Sequence, residues 1–488
     1  MLSIHCRKFE YFRHSGCMLP ATLSFEQLQI MNLIKTGFSM VLLGRSGTGK
    51  TTLIRQLAQE LRCKPGVFFT GMTGSASCLI DDTAMTIHSL FGLGCSFRWT
   101  NFQGVIDTMS PHCRVNIRNA NLLVIDEVSM MSRVLFDLID FVSRQIRRTD
   151  EPFGGIQIVL VGDLNQLPPV EDALSRDPRS GDWFFQSNLF SKIAGESYRS
   201  GPWKFCELKT VYRQPVETAE DQSFTDALFR FARNTLRRKD IEFLATLDRP
   251  ISLPAGIVPT MILVKGSDAQ QKNREMLYKL VGAQFDYAAV DTGPLASMLD
   301  ALTSLPQEVS LKVGCPVIAV KNFINQKVCS GQQGTVIGFS DPGELKRSGL
   351  EVLGDLPDDS TKVPIVCFGS LGKFAVAPVS AIIQPPGSDV LATRVNLPLL
   401  LGWAVTCGRS QGMTLDAVHV QCPSNGYKHG YLYCALSRVK SYKSLQLAGF
   451  KKEYLRNYRR NEIYDFRLAY FPTADAQLGI TNGLKRKR

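Results

Sequence analysis

Short apolar runs that end abruptly in polar or glycine-rich turns recur along this chain. MVLL runs into GRSGTGK, VFF into TGMTGS, NLLVI into DEVS and IQIVLV into GDLNQLPP. Runs of this length read as buried strands, and the stretches between them carry helical spacing. Leu23 to Ile34 reads as a helix capped by Ser24, with Gln27 at the capping-box position. Leu135 to Arg148 has helical apolar spacing, with Arg144, Arg147 and Arg148 at the end that suits the helix dipole. Phe224 to Leu247 sets a stripe of Phe224, Leu228 and Phe231 against a face of Arg230, Arg233 and Arg237. From Gly314 to Pro386 the pattern changes to short β-rich runs broken by Gly and Pro, which predict a small barrel inserted into a second α/β domain. Leu399 to Val420 resumes the α/β style, whereas 171–204, rich in Ser, Gly, Pro and Arg, reads as a linker or insertion.

The turns carry the chemistry. Gly44, Arg45, Ser46, Gly47, Thr48 and Gly49, followed by Lys50, Thr51 and Thr52, match a phosphate loop. Gly44, Gly47 and Gly49 are expected to supply positive φ angles and the missing side chains that let backbone N–H groups close around phosphate oxygens. The helix beginning near Lys50 offers its free N–H groups to the same anion. Lys50 would reach the β and γ phosphates and Thr51 would ligate magnesium. Asp126 and Glu127 close an apolar strand, so they point differently and can divide metal coordination from water activation. Gln166 follows a neighbouring strand and is placed to sense the γ phosphate or the attacking water. Arg213 is read as an arginine finger from a second lobe. Gln27 is open to two roles, a helix cap or an adenine contact. Thr73, Thr86 and His88 sit at turns where they could donate to a nucleic-acid backbone, or serve as caps and buried hydrogen-bonding groups.

Composition narrows the partners. Of 488 residues, 44% are hydrophobic and 20% charged, a globular balance, and no apolar stretch is long enough to span a bilayer. Thirteen scattered cysteines without a CxxC pair argue for reduced thiols and against a disulfide framework or zinc site. The formal charge of +12 favours a polyanionic partner. From Lys451 onward ten Lys and Arg stand against four Asp and Glu, a basic tail ending in KRKR at 485–488 that reads as a nuclear import signal or a charged terminus. The first twenty residues read as a disordered leader or an organellar presequence.

The segments LSFEQ, GRSGTGKT, TIHSLFG, VIDEVSM, PFGGIQIVLVGDLNQLPPV, VYRQ, SQGMTL and YCALSR, in this order, resemble a superfamily-one DNA helicase of the PIF family over about 430 residues. The resemblance implies two RecA-like lobes with ATP and Mg2+ in the cleft between them, and 5′ to 3′ movement on single-stranded or forked DNA in genome maintenance. It gives Gln27 to adenine, Lys50 and Thr51 to the phosphates and magnesium, Asp126 to the metal, Glu127 to the attacking water and Gln166 to the γ phosphate. Arg213 and Arg438 become fingers supplied across the cleft. Arg409, Ser410 and Gln411 fall in a motif that touches DNA or couples it to ATP. The implied domains are 21–204 with a wedge at 92–119, 205–324 with 394–452, an SH3-like barrel at 325–393, and a basic tail at 453–488. The expected unit is a monomer in the nucleus, with the mitochondrion as the alternative. Competing readings are a non-catalytic nucleic-acid clamp and an RNA-directed motor. The chain departs from the family pattern at Gly408-Arg409, Leu164-Asn165 and Cys329-Ser330-Gly331.

Overall fold

The structure, a computed structural model, describes residues 23–471 apart from 62–63, 74–75, 78–79, 81–83, 94–101, 170–180, 198–202, 234, 253–257, 295, 322, 324–327, 329–330, 384–389, 391, 423–428 and 452–460. The leader, the terminal KRKR run and part of the 171–204 linker lie outside the described residues.

The first lobe is built on β1 (Ser39–Gly44), β2 (Val67–Gly71), β3 (Met85–Thr86), β4 (Leu122–Asp126), β5 (Gln157–Gly162) and β6 (Trp203–Leu208). They form one sheet in the order β3-β2-β4-β5-β1-β6, with every pairing parallel. Because side chains alternate along a strand, Val41 and Leu43 enter one core while Met40 and Leu42 enter the other. Helices Phe25–Lys35 and Lys50–Leu61 pack on the second face, and helix Arg133–Arg147 covers the first. The strands are therefore continuous apolar runs, and their C-terminal turns share one edge.

A second all-parallel sheet has the order β19-β7-β20-β21, made by β7 (Thr260–Leu263), β19 (Ala404–Thr406), β20 (Val418–Gln421) and β21 (Leu445–Ala448). Helices Ala219–Ala232 and Tyr431–Leu436 contribute to its core. The chain is thus mixed α/β with two parallel sheets. Between β7 and β19 run the smaller sheets. β8 (Phe285–Ala288) pairs with β10 (Glu308–Leu311), and β9 (Val290–Thr292), β16 (Val379–Ile383) and β17 (Ala392–Asn396) make a three-stranded sheet. β11 (Pro316–Ala319), β12 (Gln333–Ser340), β13 (Val352–Leu353), β14 (Val363–Cys367), β15 (Lys373–Val376) and β18 (Leu399–Leu401) form a sheet ordered β13-β15-β14-β12-β11-β18.

Four expected boundaries change. β6 pairs with β1 along its whole length, so the first lobe runs past 204 to Leu208. The insertion draws in β11 and β18 from outside 325–393, and among the described residues its end strands β13 and β18 pair with β15 and β11 and not with each other. Residues 102–119, expected as part of a wedge, form helices Phe102–Thr108 and Pro111–Asn119, whose Val105, Ile106, Cys113 and Ile117 are buried in the first lobe's core. The expected basic tail contains helix Asn461–Tyr470, which returns to the first lobe: Phe466 stacks on Phe185 with centroids 4.4 Å apart, and Arg467 pairs with Glu207 at 2.6 Å. Among the described residues no helix is long and apolar enough to cross a membrane.

Arg147 serves a neighbouring helix more than its own dipole. Its guanidinium donates to the carbonyls of Arg118 at 2.8 Å and Ala120 at 2.7 Å, as well as to Gly154. It thereby satisfies carbonyls left open where helix Pro111–Asn119 ends. Arg147→Ala is expected to destabilise the fold by about 2–3 kcal/mol, since bonds to a charged donor are lost and the carbonyls are stranded. Urea denaturation measures this, and a change below about 0.5 kcal/mol would contradict the role assigned to Arg147.

Candidate active site

The phosphate loop links β1 to helix Lys50–Leu61. Gly47 and Gly49 have φ of +83° and +78°, a conformation L side chains resist. Gly44 does not share it. It is needed for space, because a Cβ there would lie 2.5 Å from Thr48 Oγ1. Lys50 is folded into the loop, its Nζ donating to the carbonyls of Gly44 at 2.7 Å and Arg45 at 3.0 Å. Burial lowers its pKa, and Asp163, Glu127 and Asp126 oppose that shift.

At the end of β4, Thr51 Oγ1 donates toward Asp126 Oδ2 at 3.5 Å, and the Glu127 amide donates to Asp126 Oδ1 at 2.8 Å. Burial, with the Glu127 carboxylate beside it, pushes the Asp126 carboxyl up to about 7. Glu127 takes a left-handed φ of 59°, which turns it out of the strand alternation. Its Oε2 accepts from Gln411 Nε2 at 2.9 Å.

Two guanidiniums meet on one hydroxyl. Arg213 Nη1 donates to Ser46 Oγ at 2.6 Å, and Arg438 Nη2 donates to the same oxygen at 3.0 Å. Arg438 Nη2 also reaches Gln166 Oε1 at 3.5 Å. Burial, reinforced by the positive charge of Arg438, lowers Arg213 to about 9. Concentrated positive charge around a loop hydroxyl marks a place suited to an anion. A cleft of about 610 Å³ opens beside it, lined by Ser46, Gly47, Gly49, Lys50, Thr51 and Thr52 from the loop, by Glu127, Gln166, Arg213 and Arg438, and by Gly412 and Thr414 from the second lobe.

Several expectations need correction. Arg213 is not a second-lobe residue. It lies on the crossover after β6, and its own amide and that of Tyr212 donate to Gly47 O at 3.3 and 2.8 Å. Arg438 alone of the two comes from the opposite bank, following helix Tyr431–Leu436. Arg45 turns away from the cleft to lie over the Phe229 ring at 4.3 Å, and Arg233 lies over the same ring at 4.3 Å. Thr48 is fully buried and donates to Arg45 O, so Gly44, Arg45 and Thr48 shape the loop without lining the cleft. Gln27 closes the capping box with Ser24, the first of its two expected roles, and its Nε2 also donates to Gly49 O of the phosphate loop at 3.2 Å.

The residues expected to touch DNA are divided. Thr86 is a buried N-cap accepting from Ser89 N, and Thr73 accepts from Ala76 N. Burial lowers His88 to about 4, so it is neutral at physiological pH and offers no cation to a phosphate. Arg409 is exposed. Ser410 is buried, donating to Cys407 O, and Gln411 is buried against Glu127, so neither side chain faces a strand.

The comparisons fit this arrangement. Residues 22–233 match the PIF1-like helicase family. The human ATP-dependent DNA helicase PIF1 is 33% identical over 441 residues, covering 88% of this chain and 62% of that protein. The Trypanosoma brucei brucei ATP-dependent DNA helicase PIF6 is 30% identical, covering 89% and 54%. The crystal structure of Pif1 helicase from Candida albicans superposes with a TM-score of 0.72 at 28% identity, covering 92% of this chain and 99% of that one. The chain is similar to the PIF1-like helicases over most of its length. It spans about half to two thirds of the length of the curated relatives it matches. A Bacteroides Pif1 helicase in complex with ADP-AlF3 and single-stranded DNA shares the fold, with a TM-score of 0.61 at 24% identity.

Sequence reading missed Asp163 and Tyr433. The Tyr433 hydroxyl donates to Asp163 Oδ2 at 2.8 Å across the two lobes, and the Ser46 amide donates to the same oxygen at 3.0 Å. Asp163 directly follows β5 just as Asp126 ends β4, which is the signal that could have found it. Leu164 and Asn165, where the chain departs from the family pattern, are buried, and Asn165 donates to Asp163 Oδ1.

Proposed function

We propose that this chain is an ATP-dependent DNA helicase that moves 5′ to 3′ on single-stranded DNA and separates forked duplex. The observation that carries the reading is the meeting of Arg213 and Arg438 on Ser46 Oγ beside the loop. Both guanidiniums would transfer to the γ phosphate of bound ATP, and Lys50 would exchange two carbonyls for β and γ oxygens. Glu127 would accept a proton from the attacking water while Gln166 holds the γ phosphate. Thr51 and Asp126, two hard oxygen ligands 3.5 Å apart beside the phosphate loop, would hold magnesium. When bound, that ion would neutralise charge on the phosphates.

Of the two fingers, Arg438 belongs to the second lobe, so ATP favours the closed state chiefly through it, and hydrolysis releases that lobe. The strand would engage exposed Arg409 and half-buried Thr73. Strand binding through phosphates would be salt-dependent. The likeness to the human ATP-dependent DNA helicase PIF1 and to a Bacteroides Pif1 solved with single-stranded DNA supports the DNA reading, and another solved Pif1 structure has two helicases coordinating at forked duplex. The working unit on a single strand is proposed as a monomer, in the nucleus or, as the alternative, the mitochondrion.

Phosphate release measured alone, with single-stranded DNA and with a matched RNA strand should rise strongly with DNA. Forked substrates with a 5′ or a 3′ tail should be opened only from the 5′ tail. Release that ignores every strand would leave a clamp, and an equal response to RNA would leave an RNA motor.

A further inference from the structure

Gln411 reaches across from the second lobe with one amide and leaves half of that amide unused. Its Nε2 donates to Glu127 Oε2 at 2.9 Å and lies 3.4 Å from Ser129 Oγ. A carboxylate oxygen is an acceptor, so the nitrogen must be the atom that faces it, and this fixes the orientation of the amide. The carbonyl oxygen Oε1 is then buried without a hydrogen-bond partner. Gln411 is only 5% exposed and Glu127 8%, so bulk water does not compensate. A buried amide oxygen left without a donor is unfavourable, and such a group calls for a specific donor. Glu127 and Gly412, the residue after Gln411, both line the nucleotide cleft.

We propose that Gln411 is a positioning residue for the water that attacks ATP, which rests on the ATP-hydrolysing function proposed above. Its nitrogen holds the Glu127 carboxylate in one rotamer, and its oxygen accepts one hydrogen of a water whose other hydrogen points at Glu127. In the reaction the water oxygen forms the new bond to the γ phosphorus, the bond from that phosphorus to the ADP oxygen breaks, and Glu127 takes the proton. Gln411 keeps its own protons throughout. The same residue lies two positions after exposed Arg409, in the segment whose short helix Cys407–Ser410 is capped by Thr406. A strand engaging Arg409 therefore acts on the base through two peptide units, which gives hydrolysis a direct way to respond to DNA.

The full chain, with ATP and single-stranded DNA both saturating, tests this by a double-mutant cycle of Gln411→Leu with Glu127→Gln. Gln411→Leu should lower kcat about thirtyfold and leave the KM for ATP within about twofold, whereas in the Glu127→Gln background the same change should cost less than about threefold. Gln411→Glu, which preserves size but sets a second carboxylate against Glu127, should also lower kcat by at least about tenfold with ATP analogue binding retained. It serves as the second variant should the leucine protein fold poorly. Unchanged kcat in a folded variant, equal losses in both backgrounds, or a loss abolished by more strand would each overturn the proposal, the last making Gln411 a strand contact. A wild-type chain without strand-stimulated hydrolysis would sink the helicase reading itself, a result distinguishable from failure of Gln411 alone.

Discussion

Arg438→Ala lowers the strand-stimulated kcat for ATP hydrolysis by about 10³ to 10⁵, the range an arginine finger contributes. The expectation follows from how completely this side chain is committed. Arg438 is 1% exposed, its Nε donates to Cys434 O at 2.7 Å and its Nη1 to Ser410 O at 3.1 Å, so the second lobe holds these two nitrogens rigidly. Nη2 donates to Ser437 Oγ of the same lobe at 2.8 Å and is also the nitrogen presented across the cleft to Ser46 and Gln166. A lysine cannot reproduce that division of labour, because its ammonium lacks the planar fork, so Arg438→Lys should rescue little. ATP analogue binding should weaken far less than turnover, since the phosphate loop stays intact. Melting curves must accompany the assay, because stranded carbonyls at Cys434 and Ser410 will also cost stability. A loss of turnover below about tenfold would remove Arg438 from the catalytic set. Arg213→Ala should also slow turnover. Its backbone is tied to Gly47, but its Nη1 also donates to Ser437 O of the second lobe at 3.0 Å, so the substitution should loosen the seam between the lobes as well.

Gly430→Ala should lower kcat by at least about a hundredfold while each lobe keeps its fold. Gly430 precedes helix Tyr431–Leu436, has φ of +82°, and sits so close to the first lobe that a Cβ would lie 2.1 Å from Gln166 O. That atom is backbone and cannot swing aside. The methyl group must therefore push the lobe faces apart, carrying Tyr433 away from Asp163 and Arg438 away from Ser46 together. A displacement near 1 Å at a reacting centre costs roughly 10² in rate. The added left-handed strain of an L residue costs about 1–2 kcal/mol more. Turnover close to wild type at saturating DNA would mean that the lobes tolerate a wider seam than the closed arrangement implies.

What could be read in the sequence was what is local. The phosphate loop, Asp126 and Glu127, and Gln166 each end an apolar run on the same sheet edge, so the pattern that makes a strand also delivers the side chain. Arg438 was legible only through its motif. Which bank Arg213 stands on was not, because β6 has half-buried residues at its centre and resembles the start of a new domain, whereas pairing with β1 places it in the first. Ser410 and Gln411 sit in a motif associated with DNA, yet their burial depends on the other lobe packing over them, a contact between residues some 280 positions apart. Arg45 was drawn off by an aromatic ring in the second lobe, again a long-range event. Helix Asn461–Tyr470 was hidden by counting charges: Ile463, Phe466, Tyr470 and Phe471 recur at helical spacing, and that periodicity outweighs the basic residues around it.

The return of that helix decides what moves with what. Ile463, Phe466 and Phe471 are seated in the core of the nucleotide-binding half, although the chain has by then finished the sheet of the other half. A fluorophore, tether or fused module attached just downstream of Phe471 would therefore report on, or pull against, the half that holds ATP. Trimming the chain after β21 would strip the cover from Phe185, Phe190 and Phe205, turning a truncation meant to be harmless into an aggregation-prone protein.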